Sequence, residues 1–94
     1  MSVLMRMHIP HMPEEAYLAS REHVEPALAA TPACHSHVAV AEDGGLTVFE
    51  VWDDADAWRT FFDAVIRPVL PPGTEPNPTF LPVLGFDVLT AAPV

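Results

Sequence analysis

The chain lacks lysine altogether, and it has one cysteine, four glycines and four basic residues, all of them arginine. Without lysine there is no amine for a Schiff base and no phosphate-loop lysine. The single cysteine, Cys34, allows neither an intrachain disulfide nor a zinc site built from several cysteines. The glycines form no dinucleotide-binding fingerprint, so a nucleotide cofactor is not indicated.

Positive charge is scarce as well. The chain has 13 acidic residues against four basic ones, and its formal net charge is −9. Such a surface repels nucleic-acid backbones and anionic lipids, so we expect neither a nucleic-acid nor a membrane partner. No signal peptide is visible, and no apolar run approaches the roughly 20 residues that span a bilayer. We therefore expect a cytoplasmic protein.

Apolar residues, by contrast, make up half of the 94 positions. A chain of this composition is not disordered, and its length allows one small domain, residues 1–94. Because a domain of this size buries its apolar residues incompletely, some of them should meet a partner subunit or a ligand.

Alternating apolar residues predict four strands, over residues 3–9, 34–41, 46–52 and 80–89. Pro82 and Gly85 weaken the last strand and favour an edge position for it. The residues at 42–45, Glu-Asp-Gly-Gly, are typical of a hairpin turn between the second and third strands.

Helical spacing predicts two helices. The first runs from about Pro13 to Ala30, and Pro26 should kink it near Glu22 or end a first segment at Glu25. The second follows Asp53, its predicted N-cap. It carries a broad apolar stripe from residue 58 to residue 70 and ends at the prolines of residues 68–72.

The order β-α-β-β-α-β predicts an α+β, ferredoxin-like fold, with one antiparallel four-stranded sheet and both helices on one face. Nothing remains in the chain to cover the other sheet face. A second subunit should therefore cover it, giving a homodimeric α/β barrel.

One segment carries a family resemblance. Residues 44–62 combine a strand ending in Val51-Trp52, an acidic turn, and a helix with aromatic residues at Trp58 and Phe62. This segment resembles the antibiotic biosynthesis monooxygenase-like family. The resemblance implies a dimeric α/β barrel and, among members of known activity, cofactor-independent oxygenases of secondary metabolism that act on phenolic polyketides.

The haem-degrading branch of that family is a poorer match. Phe61 and Pro71 stand where that branch has a tryptophan and a haem-ligating histidine, and its strand-one asparagine is missing. We therefore expect no cofactor and no metal.

Three residues are the candidates for catalysis. Arg6 and His8 share one face of the first strand, where two polar groups need partners or a wet cavity. In a substrate pocket between sheet and helices, Arg6 would stabilise an anionic oxygen and His8 would move a proton. Glu50, on the third strand, would act as a base if buried, or would pair with Arg6.

Four further residues, Tyr17, Trp52, Phe61 and His37, are the candidates for substrate binding. Together these residues predict a small enzyme, an oxidoreductase of the monooxygenase-like kind, that abstracts a proton from an apolar phenolic or polyketide-like molecule, with or without dioxygen. A cyclase or isomerase is an alternative, because those reactions need only proton transfer at an acidic carbon.

Two further hypotheses, a binding module and a metal enzyme, make different structural predictions. In a non-catalytic dimeric module that binds a ligand or a partner, Arg6, His8 and Glu50 would form a closed ion network with no cavity. In a metal enzyme, His35 and His37 would lie on one strand face and converge on a third ligand, such as His8 or Glu50.

Overall fold

The computed structural model describes residues 1–89. The strands are β1 (Val3–Ile9), β2 (Cys34–Glu42), β3 (Gly45–Trp52) and β4 (Thr79–Pro82). They form one sheet in the order β2-β3-β1-β4, and every neighbouring pair is antiparallel. The helices are α1 (Glu14–Ala29) and α2 (Ala55–Phe61). This arrangement confirms the predicted ferredoxin-like α+β fold. None of the helices in residues 1–89 has the length and apolarity needed to cross a membrane.

The first three strands lie within one residue of their predicted bounds, but the prediction for β4 is wrong. This strand ends at Pro82 instead of continuing to Leu89. Proline has no amide hydrogen to donate to a neighbouring strand, so the ladder stops there. The next amide, that of Val83, instead donates to the Ser2 carbonyl at 2.9 Å.

Helix α1 continues through Pro26, so the expectation that a segment ends at Glu25 is wrong. Proline removes one helical hydrogen bond, but the remaining bonds carry the helix past it. The Ala30 amide still donates to the Pro26 carbonyl at 3.0 Å.

Helix α2 begins one residue later than predicted, because Asp54 and not Asp53 is its N-cap. The Asp54 carboxylate accepts a hydrogen bond from the Ala57 amide at 2.7 Å. After α2 the chain stays helical, first as a π-helical turn (Phe62–Ile66) and then as a 3-10 turn (Arg67–Val69). The predicted end near the prolines is thus confirmed.

The hairpin between β2 and β3 turns at Asp43 and Gly44, which both have positive φ. Two such residues make the tight turn that matches the twist of antiparallel strands. The next residue, Gly45, lies so close to the end of β1 that an added Cβ would be 2.1 Å from the Ile9 carbonyl oxygen. The hairpin therefore packs directly against the segment that leads into α1.

The core lies between the sheet and the two helices. Its most buried members are Met5, Trp52 and Phe62, joined by Trp58 and Phe61 from α2. Within residues 1–89, no helix lies on the opposite sheet face. Val38, Val40 and Leu81 are 40–53% exposed there.

Candidate functional site

A cavity of about 670 Å³ lies between the sheet and the helices. Apolar side chains form most of its wall, among them Met7, Val48, Trp58 and Phe61. Residues 10–13, which precede α1, and residues 69–75, which follow the helical turns, contribute the rest of the wall together with α1. Its volume is in the range of pockets that hold one small organic molecule.

Three polar side chains meet in the wall of this cavity, one each from α1, β2 and β3. The Tyr17 hydroxyl lies 2.8 Å from Nε2 of His37. The other ring nitrogen of His37, Nδ1, lies 2.5 Å from Oε2 of Glu50. We refer to Tyr17, His37 and Glu50 as the Tyr-His-Glu relay.

The fold determines this meeting. His37 and Glu50 are direct partners in the β2–β3 register, and directly opposed residues place their side chains on the same sheet face. That face carries the helices. Helix α1 crosses above it, so the Tyr17 ring lies nearly parallel to the His37 ring, with an angle of 9° between their planes.

Glu50 is a buried carboxylate with two hydrogen-bond donors. Its residue is 6% exposed, and its second oxygen, Oε1, accepts the indole N–H of Trp52 at 2.9 Å. A buried charge is costly unless hydrogen bonds compensate it, and here the indole and the imidazole do so. Trp52 itself is fully buried behind Glu50 and does not line the cavity.

The environment of Tyr17 favours its neutral form. Burial raises the pKa of the phenol, and the carboxylates of Glu50 and Glu25 raise it further, against the opposing effect of Arg21. Tyr17 therefore carries its proton at physiological pH and can donate it to Nε2 of His37.

These contacts assign the tautomer of His37. A neutral imidazole has one N–H and one bare nitrogen. Nδ1 faces the Glu50 carboxylate, which accepts, and Nε2 faces the Tyr17 hydroxyl, which donates. The imidazole can take up a further proton at Nε2, and the resulting imidazolium would lie beside the carboxylate.

The placement expected for Arg6 and His8 is wrong, because both lie on the open sheet face. Arg6 contacts Glu42 at 3.4 Å, and Nδ1 of His8 lies 2.9 Å from the Thr47 hydroxyl. Thr47 in turn donates to Glu42 at 2.5 Å. Strand residues alternate between faces, so Met5 and Met7 take the helix side of β1 and their neighbours take the other.

Because of this placement, two side-chain pairings that were expected for Arg6 are not found. Arg6 pairs with Glu42 and not with Glu50, so the expected Arg6–Glu50 pair and the closed network of Arg6, His8 and Glu50 do not form. A cavity lies beside Glu50 instead.

His35 and His37 do not converge on a common ligand, as the metal-enzyme hypothesis required. The β2–β3 register shifts between Cys34 and Ser36, so His35 falls in the irregularity and contacts Asp53 at 2.7 Å. His37 turns to Glu50. Across residues 1–89, no three histidine, cysteine or acidic side chains are grouped as metal ligands would be.

Tyr17, His37, Glu50 and Phe61 thus line one cavity, whereas Arg6 and His8 lie elsewhere. The contact between Tyr17, His37 and Glu50 was not predicted from the sequence, although the hairpin contained a signal for part of it. His37 and Glu50 are equidistant from the turn residues Asp43 and Gly44, so a two-residue turn necessarily pairs them. The contact with Tyr17 depends on how α1 packs and had no such signal.

Comparisons with known proteins bear on the fold. No family model matches the chain, and no curated protein matches it in sequence. Its structure is similar to that of a mutant of SnoaB, a cofactor-independent oxygenase from Streptomyces nogalater, with a TM-score of 0.57 and 14% identity over 90% of this chain and 94% of the other. It is also similar to Rv0793 from Mycobacterium tuberculosis, with a TM-score of 0.51 and 17% identity over 90% of this chain and 96% of the other. The chain therefore shares its ferredoxin-like α+β fold with these two proteins.

Proposed function

We propose that the chain is a small cofactor-independent enzyme of the antibiotic biosynthesis monooxygenase-like family, which removes a proton from an apolar phenolic molecule. The observation that carries this proposal is the hydrogen-bonded pair of His37 and buried Glu50 in the wall of a largely apolar cavity. The pair acts as the base, and aromatic side chains such as Phe61 hold the substrate.

The chemistry needs a base in a site that excludes most water. A carboxylate beside a histidine orients the ring and stabilises the imidazolium that forms when the ring takes a proton. In the apolar cavity the substrate anion then lacks full hydration. An electron-rich phenolate of this kind reduces dioxygen directly, so the reaction requires neither metal nor flavin.

The similarity to SnoaB supports the oxygenase form of the proposal, because that protein is a cofactor-independent oxygenase of the same fold. Fold alone does not determine the reaction. The same base would also serve a cyclase or isomerase, which ends at proton transfer. Whether the protein consumes dioxygen therefore distinguishes the oxygenase from the cyclase or isomerase.

We further propose that the active species is a homodimer. The open sheet face is apolar around Leu4, Val38, Phe49 and Leu81, and two of these side chains, Val38 and Leu81, are about half exposed. A second copy packed face to face would cover them. Such contiguous exposed apolar surface is typical of interaction sites.

The test uses dihydroxyanthrone, a flat three-ring molecule whose phenolic tautomer gives an electron-rich anion. In the oxygenase reaction its methylene carbon loses two hydrogens, one oxygen atom of O₂ becomes the new carbonyl, and the other leaves as water. We expect purified protein to consume oxygen with this compound and to form the quinone in equal amount.

Glu50→Gln keeps the shape of the side chain and removes its charge, and should lower kcat by about 100-fold or more. Glu42→Gln makes the same change on the open face and should leave kcat within about threefold of wild type. A second outcome would indicate the cyclase or isomerase form. In that outcome the wild type takes up no oxygen but exchanges the acidic protons of the substrate with solvent, and Glu50→Gln loses this exchange. Equal activity of Glu50→Gln and Glu42→Gln would refute the assignment of Glu50 to the catalytic base.

A further inference from the structure

We propose that Tyr17 is the catalytic residue that contacts the substrate hydroxyl, and that it passes the substrate's proton on to His37. This inference rests on the proposed function and names the atom through which the proton enters the relay. It also narrows the substrate class to molecules that present a phenolic or enolic O–H.

The hydrogen bonds of His37 carry the argument. Nδ1 is engaged by Glu50 and Nε2 by the Tyr17 hydroxyl, so neither ring nitrogen has a lone pair facing the cavity. Glu50 is 6% exposed and holds His37 and Trp52 with its two oxygens. The Tyr17 oxygen gives its proton to His37 and keeps lone pairs with which it can accept a hydrogen bond from a substrate.

The transfer moves two protons and leaves no charge on the tyrosine. The substrate O–H bond breaks as a new O–H bond forms on Tyr17, while the original Tyr17 O–H bond breaks and an N–H bond forms at Nε2 of His37. The products are a substrate phenolate, neutral Tyr17, and an imidazolium paired with the Glu50 carboxylate. Electrons stay with the substrate oxygen, ready for reaction with dioxygen or at an acidic carbon.

The acidity of phenols suits this relay. An unperturbed tyrosine has a pKa of about 10, close to that of simple phenols, so proton exchange between the two oxygens is nearly balanced in free energy. The groups that face Tyr17 are Arg21 and Glu25 from its own helix, His37 from β2 and Glu50 from β3. Together with burial, these groups raise the pKa of Tyr17. The side chain is therefore a neutral hydroxyl both before and after it relays the proton.

The relay also has a route to water. Tyr17 and His37 line a second cavity of about 640 Å³ between α1 and β2 and a third of about 270 Å³ further along the same groove. His37 has 26% of its side chain exposed. After each turnover the imidazolium can therefore return its proton to solvent through the Tyr17 hydroxyl, which borders these side cavities.

The deciding experiment is turnover of dihydroxyanthrone by Tyr17→Phe, which keeps the ring and removes the hydroxyl. We expect kcat to fall by about 100-fold while KM stays within about threefold, because the loss concerns the transfer and not the fit. Thr31→Val is the matched control. It removes a hydroxyl that donates to the Ala27 carbonyl at the end of α1, outside the cavity, and should keep kcat within about twofold.

A proton inventory in mixtures of H₂O and D₂O supplies a readout that a merely structural tyrosine would not change. The wild type should give a curved plot of rate against deuterium fraction, because two protons move together, and the residual activity of Tyr17→Phe should give a straight one. Full kcat in Tyr17→Phe, with the wild type active, would overturn the relay alone. A wild type that turns over no phenol would overturn the proposed function itself.

Discussion

At the scale of single residues, the site depends on how Glu50 is held. Its carboxylate is buried, and its two oxygens have one donor each, the His37 ring and the Trp52 indole. Removing one partner of a buried charge leaves a desolvation penalty that nothing compensates. This penalty is larger than the net contribution of an ordinary hydrogen bond to folding stability. The indole of Trp52 therefore has an electrostatic role in addition to filling the core.

Trp52→Phe should destabilise the fold by about 3 kcal/mol, from the lost donor and the smaller ring together, as measured by urea unfolding. Trp58→Phe makes the same ring change at a residue that is also buried, but it leaves Glu50 untouched, and it should cost less. Equal losses in both variants would show that the indole N–H of Trp52 contributes nothing beyond packing.

The environment of the partly buried Cys34 thiol raises its pKa. Burial and the Glu50 carboxylate raise the pKa of the thiol from 9.0 to about 11, although a hydrogen bond with the backbone of Ser36 lowers it in part. At pH 8 the folded chain should react with iodoacetamide about 100-fold more slowly than the same chain unfolded in urea. Because the folded pKa lies above the unfolded one, stability should also fall as the pH rises from about 9 to 11. Equal alkylation rates would contradict the assigned environment.

At the scale of the elements, the pleat of the strands decides which residues reach the cavity. The sequence predicted the strands, the hairpin and the helical stripe well, because each rests on local periodicity and turn chemistry. It misplaced Arg6 and His8, because alternation shows which residues share a face but not which face meets the helices. The register shift in β2 between Cys34 and Ser36 has no local signature, and neither does the packing that brings Tyr17 to His37.

Gly45 tests how the hairpin positions the part of the cavity wall formed by residues 10–13. Gly45→Ala would place a Cβ 2.1 Å from the Ile9 carbonyl oxygen, so the segment at residues 10–13 must move. We expect a destabilisation of about 2 kcal/mol in thermal or urea unfolding and a raised KM. Gly85→Ala, where an added Cβ has open space, is the control and should change neither value. A neutral Gly45→Ala would mean that this close approach is dispensable.

At the scale of the whole molecule, the two faces of the sheet differ in what covers them. The helix face encloses the core and the cavity, and the other face presents apolar side chains around the Arg6–Glu42 pair. The composition pointed to this imbalance, since half of a 94-residue chain is hydrophobic. Composition does not determine the substrate, which depends on the shape of the cavity.

Leu81→Glu tests the proposed dimer. It places a charge on the open face at a leucine that is 51% exposed, and burying that charge against a second copy would be costly. We expect wild type to sediment as a dimer and the variant as a monomer in analytical ultracentrifugation. Leu18→Glu, at a leucine that is 52% exposed on α1, should remain dimeric. A monomeric wild type would refute the dimer, and a dimeric Leu81→Glu would refute this face as its interface.

The most direct test of the account is a comparison of two histidines that the chain places on opposite faces of one sheet. His37→Gln and His8→Gln make the same substitution, but His37 lies in the relay and His8 contacts Thr47 on the open face. Steady-state kinetics with dihydroxyanthrone should show kcat/KM reduced by about 100-fold or more in His37→Gln and within about threefold of wild type in His8→Gln. A large loss in His8→Gln with full activity in His37→Gln would contradict the account, because it would place the chemistry on the open face.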